Sequence, residues 1–228
     1  LASNELLIIL YSYLCQHAKE NGKIPSITEM SDELGISVAT LREQLEVTRA
    51  LGIIESRPRK GIRLLPYSFK PAVVQSVTYA VALDDSNFQS YSDLRIQIEN
   101  AYWYRSVCLL EEQDHQVLLE ILDKAKHKLN RNPVQIPHLE HRNLHLTIYK
   151  KLDNPFVTGI LEAYWDLYES IGLAVYTDLD YLSRVWSYHR RMVDSIISGE
   201  YWLGQKELME HMDLLYKRIE SKPIHLFE

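Results

Sequence analysis

Cysteine is scarce: Cys15 and Cys108 are the two in 228 residues, far apart and in no Cys-x-x-Cys pair. A disulfide scaffold or a cysteine-based zinc site is therefore not expected, and a reducing, cytoplasmic setting is. No run approaches the roughly 18 consecutive apolar residues of a membrane span. The opening Leu-Ala-Ser-Asn-Glu has no basic stretch leading into an apolar core, so no signal peptide is expected. Glycine is sparse, and no glycine-rich loop suited to cradling phosphate occurs. Internal repeats and low-complexity tracts are also missing. What is present is a hydrophobic fraction of 46%, enough for one large core or two ordinary ones.

Positive charge is not in excess either, since the formal net charge is −6. The deficit is uneven. Residues 1–66 hold 8 Lys/Arg against 8 Asp/Glu, so the whole acidic excess lies beyond them. Within the neutral part, Arg57, Arg59, Lys60 and Arg63 make a local basic cluster. Overall charge thus neither supports nor excludes a nucleic-acid partner.

A first helix is predicted from Ser3 or Asn4 to about Lys19, burying Leu6, Leu7, Leu10, Tyr13 and Leu14. The stretch Pro25–Gly61 then carries the strongest pattern. Ser26 with Glu29 forms a capping box, opening a helix through Met30 and Leu34 that stops at Gly35. Ser37 caps a second helix, Val38–Ala50, with Val38, Leu41 and Leu45 along one side and Gly52 after its end. Ile53–Ser56 and Ile62–Leu65 read as two short strands around a turn at Arg57–Gly61. Two helices joined through a glycine-containing turn, with a basic hairpin behind them, describe a winged helix-turn-helix that places its second helix in the DNA major groove. The candidate DNA contacts are Ser37, Thr40, Arg42, Arg49, Arg57, Arg59, Lys60 and Gly61. Arg42, with Thr40 near it, is the base-reading candidate, and Arg49 and the wing cations are the phosphate contacts.

Two prolines bracket residues 67–71, the expected linker between a DNA-binding domain at 1–66 and a second domain at 72–228. No strand is predicted after Ala72. Helices are expected near 72–83, 88–112, 115–130, 138–152, 156–176, 179–198 and 202–220, an all-helical bundle with short connections. Asn154 before Pro155 reads as a helix cap.

Four of the nine histidines show a pattern. His141 and His145 are four apart on one predicted helix and share a face. His189 and His211 lie about equally far on either side of Gly199; a chain reversal there sets them level on adjacent helices. Converging imidazoles are ligands for zinc, nickel and related divalent ions.

Taken together, Ile24-Pro25-Ser26, Leu34-Gly35-Ile36-Ser37, Leu41-Arg42-Glu43, Leu51-Gly52-Ile53-Ile54 and Lys60-Gly61 resemble the GntR family of bacterial transcription regulators. In the second part, Leu94-Arg95 with Glu99, Asn143-Leu144-His145, His189 and His211 resemble its FadR-type branch with an FCD effector domain. The resemblance implies a homodimer on double-stranded operator DNA. It also implies a divalent metal (zinc first, nickel or manganese after it) that holds the carboxylate of a small metabolite, with Arg95 as a further effector contact. The same-helix alternative for Arg95 is an ion pair with Glu99. Tyr102, Trp103, Tyr104, Tyr164 and Trp165 are either pocket lining or core. The family often has arginine at the positions of Thr28 and Val38, so a different operator sequence is expected here. Its metal-binding members usually carry Asp where this chain has His141, which makes the ligand set four nitrogens.

The rival expectation is a metal-dependent enzyme on the same bundle. His141-Arg142-Asn143-Leu144-His145 has zincin histidine spacing, but Arg142 stands where a zincin needs a glutamate base. No Ser/His/Asp order or paired acid and base accompanies it. The expected fold class is mostly α: a winged helix-turn-helix domain followed by an all-α, FCD-like bundle.

Overall fold

A computed structural model describes residues 3–21, 24–57, 61–171 and 178–221. The chain divides into two compact units, Leu1–Ala72 and Val73–Glu228.

The first unit contains α1 (Ser3–Asn21), α2 (Ile27–Leu34), α3 (Val38–Ala50), β1 (Ile54–Arg57) and β2 (Gly61–Leu64). Ser26 caps α2 by accepting from Glu29 N, and the Glu29 carboxylate accepts from Ser26 N at 2.7 Å. Gly35 ends α2 in the left-handed region, and Ser37 Oγ accepts from Thr40 N to start α3. Leu10, Leu14, Met30, Leu41, Leu45 and Ile54 interlock as the core. β1 and β2 pair antiparallel, with Ile54 opposite Leu64 and Arg57 opposite Gly61. The first strand begins one residue later than expected because Ile53 N still donates to Thr48 O, closing the end of α3. Gly52 has φ of 68°, and a Cβ there would stand 2.7 Å from Pro71 Cγ. Both its backbone angle and its neighbour therefore require glycine.

Beyond this lie α4 (Lys70–Leu83), α5 (Ser86–Val107), α6 (Glu112–Leu129), α7 (His138–Tyr149), α8 (Pro155–Ile171), α9 (Leu179–Ser198) and α10 (Tyr201–Ser221). Residues 67–71 are only in part a connection, since α4 already includes Lys70 and Pro71. Proline is tolerated there because first-turn amides have no intrahelical acceptor. α5 stops five residues short of its predicted end. The reason is Asp114, whose Oδ2 accepts from Glu111 N at 2.9 Å and starts α6 early. α7 likewise ends at Tyr149, where Leu152 N turns back to Tyr149 O. Asn154 Oδ1 accepts from the amides of Phe156 and Val157, as expected of a cap. The predicted end of α8 at 176 lies outside the described residues.

α9 and α10 form a hairpin about Gly199, and α10 also packs on α5. Gly204 makes that approach possible, because a Cβ would lie 2.7 Å from Trp103 Cζ2. Trp103 Nε1 donates to Tyr201 O across the same contact. α6 packs on α7 and α9, and α5, α7 and α8 pack on one another. Trp103, Leu118, Leu144, Ile148, Val193 and Leu208 are fully buried within one cluster. No helix among the described residues is long and apolar enough to cross a membrane.

Two stability outcomes follow from these contacts. Gly52→Ala is expected to cost about 1–3 kcal/mol in denaturant titration, through backbone strain and the clash with Pro71. Asp114 is held well below the usual carboxylate range by Lys150 and Lys151, each 2.7 Å away, and by the Glu111 amide. Its stabilisation is therefore present at neutral pH and lost as acid protonates it. Asp114→Asn should lower the melting temperature at pH 7, and the gap from wild type should close below pH of about 4.

Candidate metal centre and nucleic-acid face

Three helices deliver the four histidines to one place. His141 and His145 project from one face of α7, His189 from α9 and His211 from α10, and all four are buried. Their candidate ligand atoms lie within 4.8 Å of one another. The ring centroids of His189 and His211 are 4.4 Å apart, so the level placement about Gly199 is realised. His141 lies 4.7 Å from His189 and 5.2 Å from His145. Trp165 and Trp186 flank the group, at 4.7 Å and 6.2 Å from His141. A small cleft lined by Pro137, His138, Leu182, Val185 and Trp186 includes His141 in its wall.

Burial pushes the pKa of His141, His189 and His211 well below the ordinary value, and the neighbouring rings and Arg95 push the same way. His145 is lowered too: burial outweighs the opposing pull of Glu99, and Arg95 adds to it. At neutral pH each ring is therefore uncharged, with one lone pair to offer.

Behind His145 lies a buried ionic layer. Arg95 Nε donates to Glu99 Oε1 at 2.5 Å, and both side chains are 1% exposed. Glu99 Oε2 is 2.9 Å from His145 Nδ1. Burial alone would raise the Glu99 pKa, but Arg95 and His145 outweigh it and hold the carboxyl ionised. The guanidinium lies against the rings of Tyr164 and Trp165, 4.8 and 5.0 Å from their centroids. Of the two expectations for Arg95, the ion pair with Glu99 is present, and it lies in the interior.

Two partners, an acceptor and a donor, compete for His145 Nδ1 and so for the tautomer of the ring. With the proton on Nδ1, the ring donates to Glu99, and its Nε2 lone pair faces His189 Nε2 at 3.2 Å. That separation is close to the ~3.3 Å between two nitrogens on a tetrahedral zinc with bonds of about 2.0–2.1 Å. Arg95 Nη2, 3.0 Å from the same Nδ1, is also a donor, so only one of these contacts operates in a given tautomer. Glu99, which the sequence offered only as a partner of Arg95, also reaches His145. Its signal is the stripe Tyr91, Arg95, Glu99, Trp103 along α5, which is buried throughout.

The remaining orphaned atoms fit a cation. His189 Nδ1 and both His211 ring nitrogens are buried without a hydrogen-bond partner. Such atoms cost about 1–3 kcal/mol each unless something satisfies them. Four neutral imidazoles suit zinc or nickel better than the oxygen-preferring manganese.

Of the aromatic residues singled out in the sequence, Tyr164 and Trp165 border this site, Trp103 is core and Tyr104 is largely exposed.

In the first unit, Arg42 is exposed on α3. Among the described cations of residues 24–65 it alone has no acidic partner. Arg49 is held by Glu46 at 2.6 Å, while Arg57 and Arg63 share Glu55 at 3.1 and 2.6 Å. Ser37 Oγ accepts from Thr40 N and lies 2.9 Å from Thr40 Oγ1, so both hydroxyls serve the start of α3. Gly61 opens β2 and is exposed; Arg59 and Lys60 lie outside the described residues.

Glu99→Ala is expected to destabilise the protein by about 3–5 kcal/mol, because it strands the buried Arg95 charge. Glu99→Gln, which keeps an acceptor, should cost less. Urea denaturation at neutral pH measures both, and equal losses would contradict the charge argument.

Residues 91–214 match the FCD domain family. The chain is 21% identical over 198 residues to the HTH-type transcriptional regulator YcbG of Bacillus subtilis strain 168, covering 86% of this chain and 80% of that one. The fold is similar to that of a Streptococcus agalactiae GntR structure, with a TM-score of 0.63 at 14% identity over 94% of this chain and 97% of the other. The E. coli McbR/YncC structure gives 0.52 at 14% identity, over 95% and 97%. With a helix-turn-helix and hairpin ahead of this domain, the chain belongs to the FCD-domain branch of the GntR family and is a transcriptional regulator.

Proposed function

We propose that the chain acts as a homodimer whose operator affinity is set by a small carboxylate bound at a divalent ion held by His141, His145, His189 and His211. The observation that carries this reading is the convergence of four buried, neutral imidazoles from three helices, with nitrogens of His189 and His211 left unsatisfied. A zinc or nickel ion bound there, if it takes a ligand beyond the four imidazoles, would supply a Lewis-acidic anchor for a carboxylate oxygen.

The chain's own residues supply the rest. Glu99 fixes the His145 tautomer by accepting from Nδ1, a carboxylate–histidine arrangement that orients a ligand ring. In that tautomer Arg95 Nη2 finds no acceptor on the ring and is available to an oxygen of the effector, the role expected of it. Trp165 and Tyr164 keep the guanidinium in place and exclude water.

On the DNA side, two copies would set their α3 helices in successive major grooves, about one helical turn apart. Arg42 is the base-reading residue, being exposed and uncommitted. Arg49, Arg57, Arg59 and Lys60 meet phosphate, and Gly61 brings the wing backbone close. For the effector to switch the operator complex 5–150-fold, it must favour one state by roughly 1–3 kcal/mol.

Elemental analysis of the purified protein should find about one zinc or nickel per chain, and His189→Ala or His211→Ala should lose it. Glu99→Gln should weaken metal binding about 10–100-fold by calorimetric titration. A metal-free protein that no added ion stabilises would refute the metal centre. Arg42→Ala should weaken operator binding by about 1–3 kcal/mol at fixed salt, and a Kd equal to wild type would remove Arg42 from the reading set.

A further inference from the structure

We infer that the effector is a dianion, a small dicarboxylate, and not a monocarboxylate. This deepens the reading above and rests on it. The argument begins with charge inside the helical unit. Among the described residues, its buried charged side chains are Arg95, Glu99, Asp114, Glu140 and Glu207. Each already has a counter-charge: Arg95 with Glu99, Asp114 with Lys150 and Lys151, Glu140 with Lys128 at 2.8 Å, and Glu207 with Arg191 at 2.7 Å. Arg142, on the histidine-bearing α7, is held by Asp166 and Glu169. Among the described residues, then, each buried carboxylate of this unit already has a cation, and the one that reaches the cluster, Glu99, is balanced by Arg95.

An imidazole ligates through a lone pair and stays neutral, so four histidines bring no charge to a bound ion. Both positive charges of a divalent cation then stand uncompensated in a water-poor interior, where an unpaired charge is strongly unfavourable. A carboxylate at the position of His141 would cancel one of them and leave room for a monoanion. His141 does not. A dianion cancels both charges at once, where a monoanion leaves one of them to a bound hydroxide.

Hydrogen bonding leads to the same class independently of the charge count. If His189 ligates through the Nε2 that faces His145, its buried Nδ1 becomes an N–H donor without an acceptor. One nitrogen of His211 is left in the same condition. Trp165 Nε1, on the ring stacked between Arg95 and His145, is a third buried donor with no partner. Together with the Tyr164 hydroxyl, which is also buried without a partner and can donate or accept, these N–H groups suit an oxygen-rich anion, and a dicarboxylate has four oxygens to offer them.

The test uses the full chain loaded with zinc, its metal content fixed by elemental analysis. Malonate, succinate and glutarate are titrated by calorimetry against propionate, butyrate and valerate, their monoanionic counterparts of equal carbon number. The best diacid should bind at least roughly tenfold tighter than its monoacid partner. His141→Asp, loaded with the same ion, should shrink that ratio by roughly tenfold. Should that variant fail to fold or load, the wild-type ratio alone decides. Monoacids binding within about threefold of the diacids, with zinc retained, would overturn the dianion inference and leave the metal centre standing. Retained zinc with no affinity for either series would overturn the inference and the effector reading together. A chain that holds no zinc would remove the metal centre, and the inference with it.

Discussion

The carboxylate of Glu99, shut away from water, governs the helical unit. An ionised group in that position is tolerable only with a cation against it and every lone pair occupied. Arg95 supplies the cation one helical turn away, and His145 is within hydrogen-bond reach of the second oxygen. Tyr149 donates its hydroxyl to the backbone carbonyl of the same residue, tying α7 to α5 a second time. The planar guanidinium in turn needs flat faces to pack against, and α8 presents Tyr164 and Trp165. One buried anion thus dictates the facing residues of three helices. It also sets the proton position on a ring of the candidate metal site.

The sequence disclosed those features whose causes are local. α3 matches its predicted limits because a serine cap and a following glycine are adjacent in the chain. The His189–His211 pairing was legible for a similar reason: a tight reversal at Gly199 makes height on one helix a function of height on the other. The approach of α7 to that pair was not legible, since no short-range signal states which helix packs against which. The end of α5 was missed because its cause is Asp114, anchored by Lys150 and Lys151 from the end of α7. Arg95 posed a choice between surface and interior that four-residue spacing cannot resolve. Burial resolved it by making the pair and the interior position one and the same.

The packing of the helical unit in this chain makes few demands: apolar positions that recur with helical period, a glycine where α10 approaches α5, and partners for the buried polar layer. Within those limits a single position can change the chemistry of the interior at only a local cost in packing. His141 is such a position. It lies among Trp165, Tyr168 and Trp186, where a flat ring packs edge-on, and a small carboxylate would leave those faces less covered.

Glu55 carries a consequence of a different kind. One acidic side chain in the β-hairpin bridges Arg57 and Arg63, so three ionic groups there amount to a single surplus positive charge. A duplex reaching this hairpin has to compete with an anion already in residence. Each guanidinium drawn to the backbone gives up an internal partner, which offsets part of the ion-release gain. These three side chains by themselves are thereby a poor glue for arbitrary DNA. In the proposed reading, discrimination then falls to α3, which would meet the base edges.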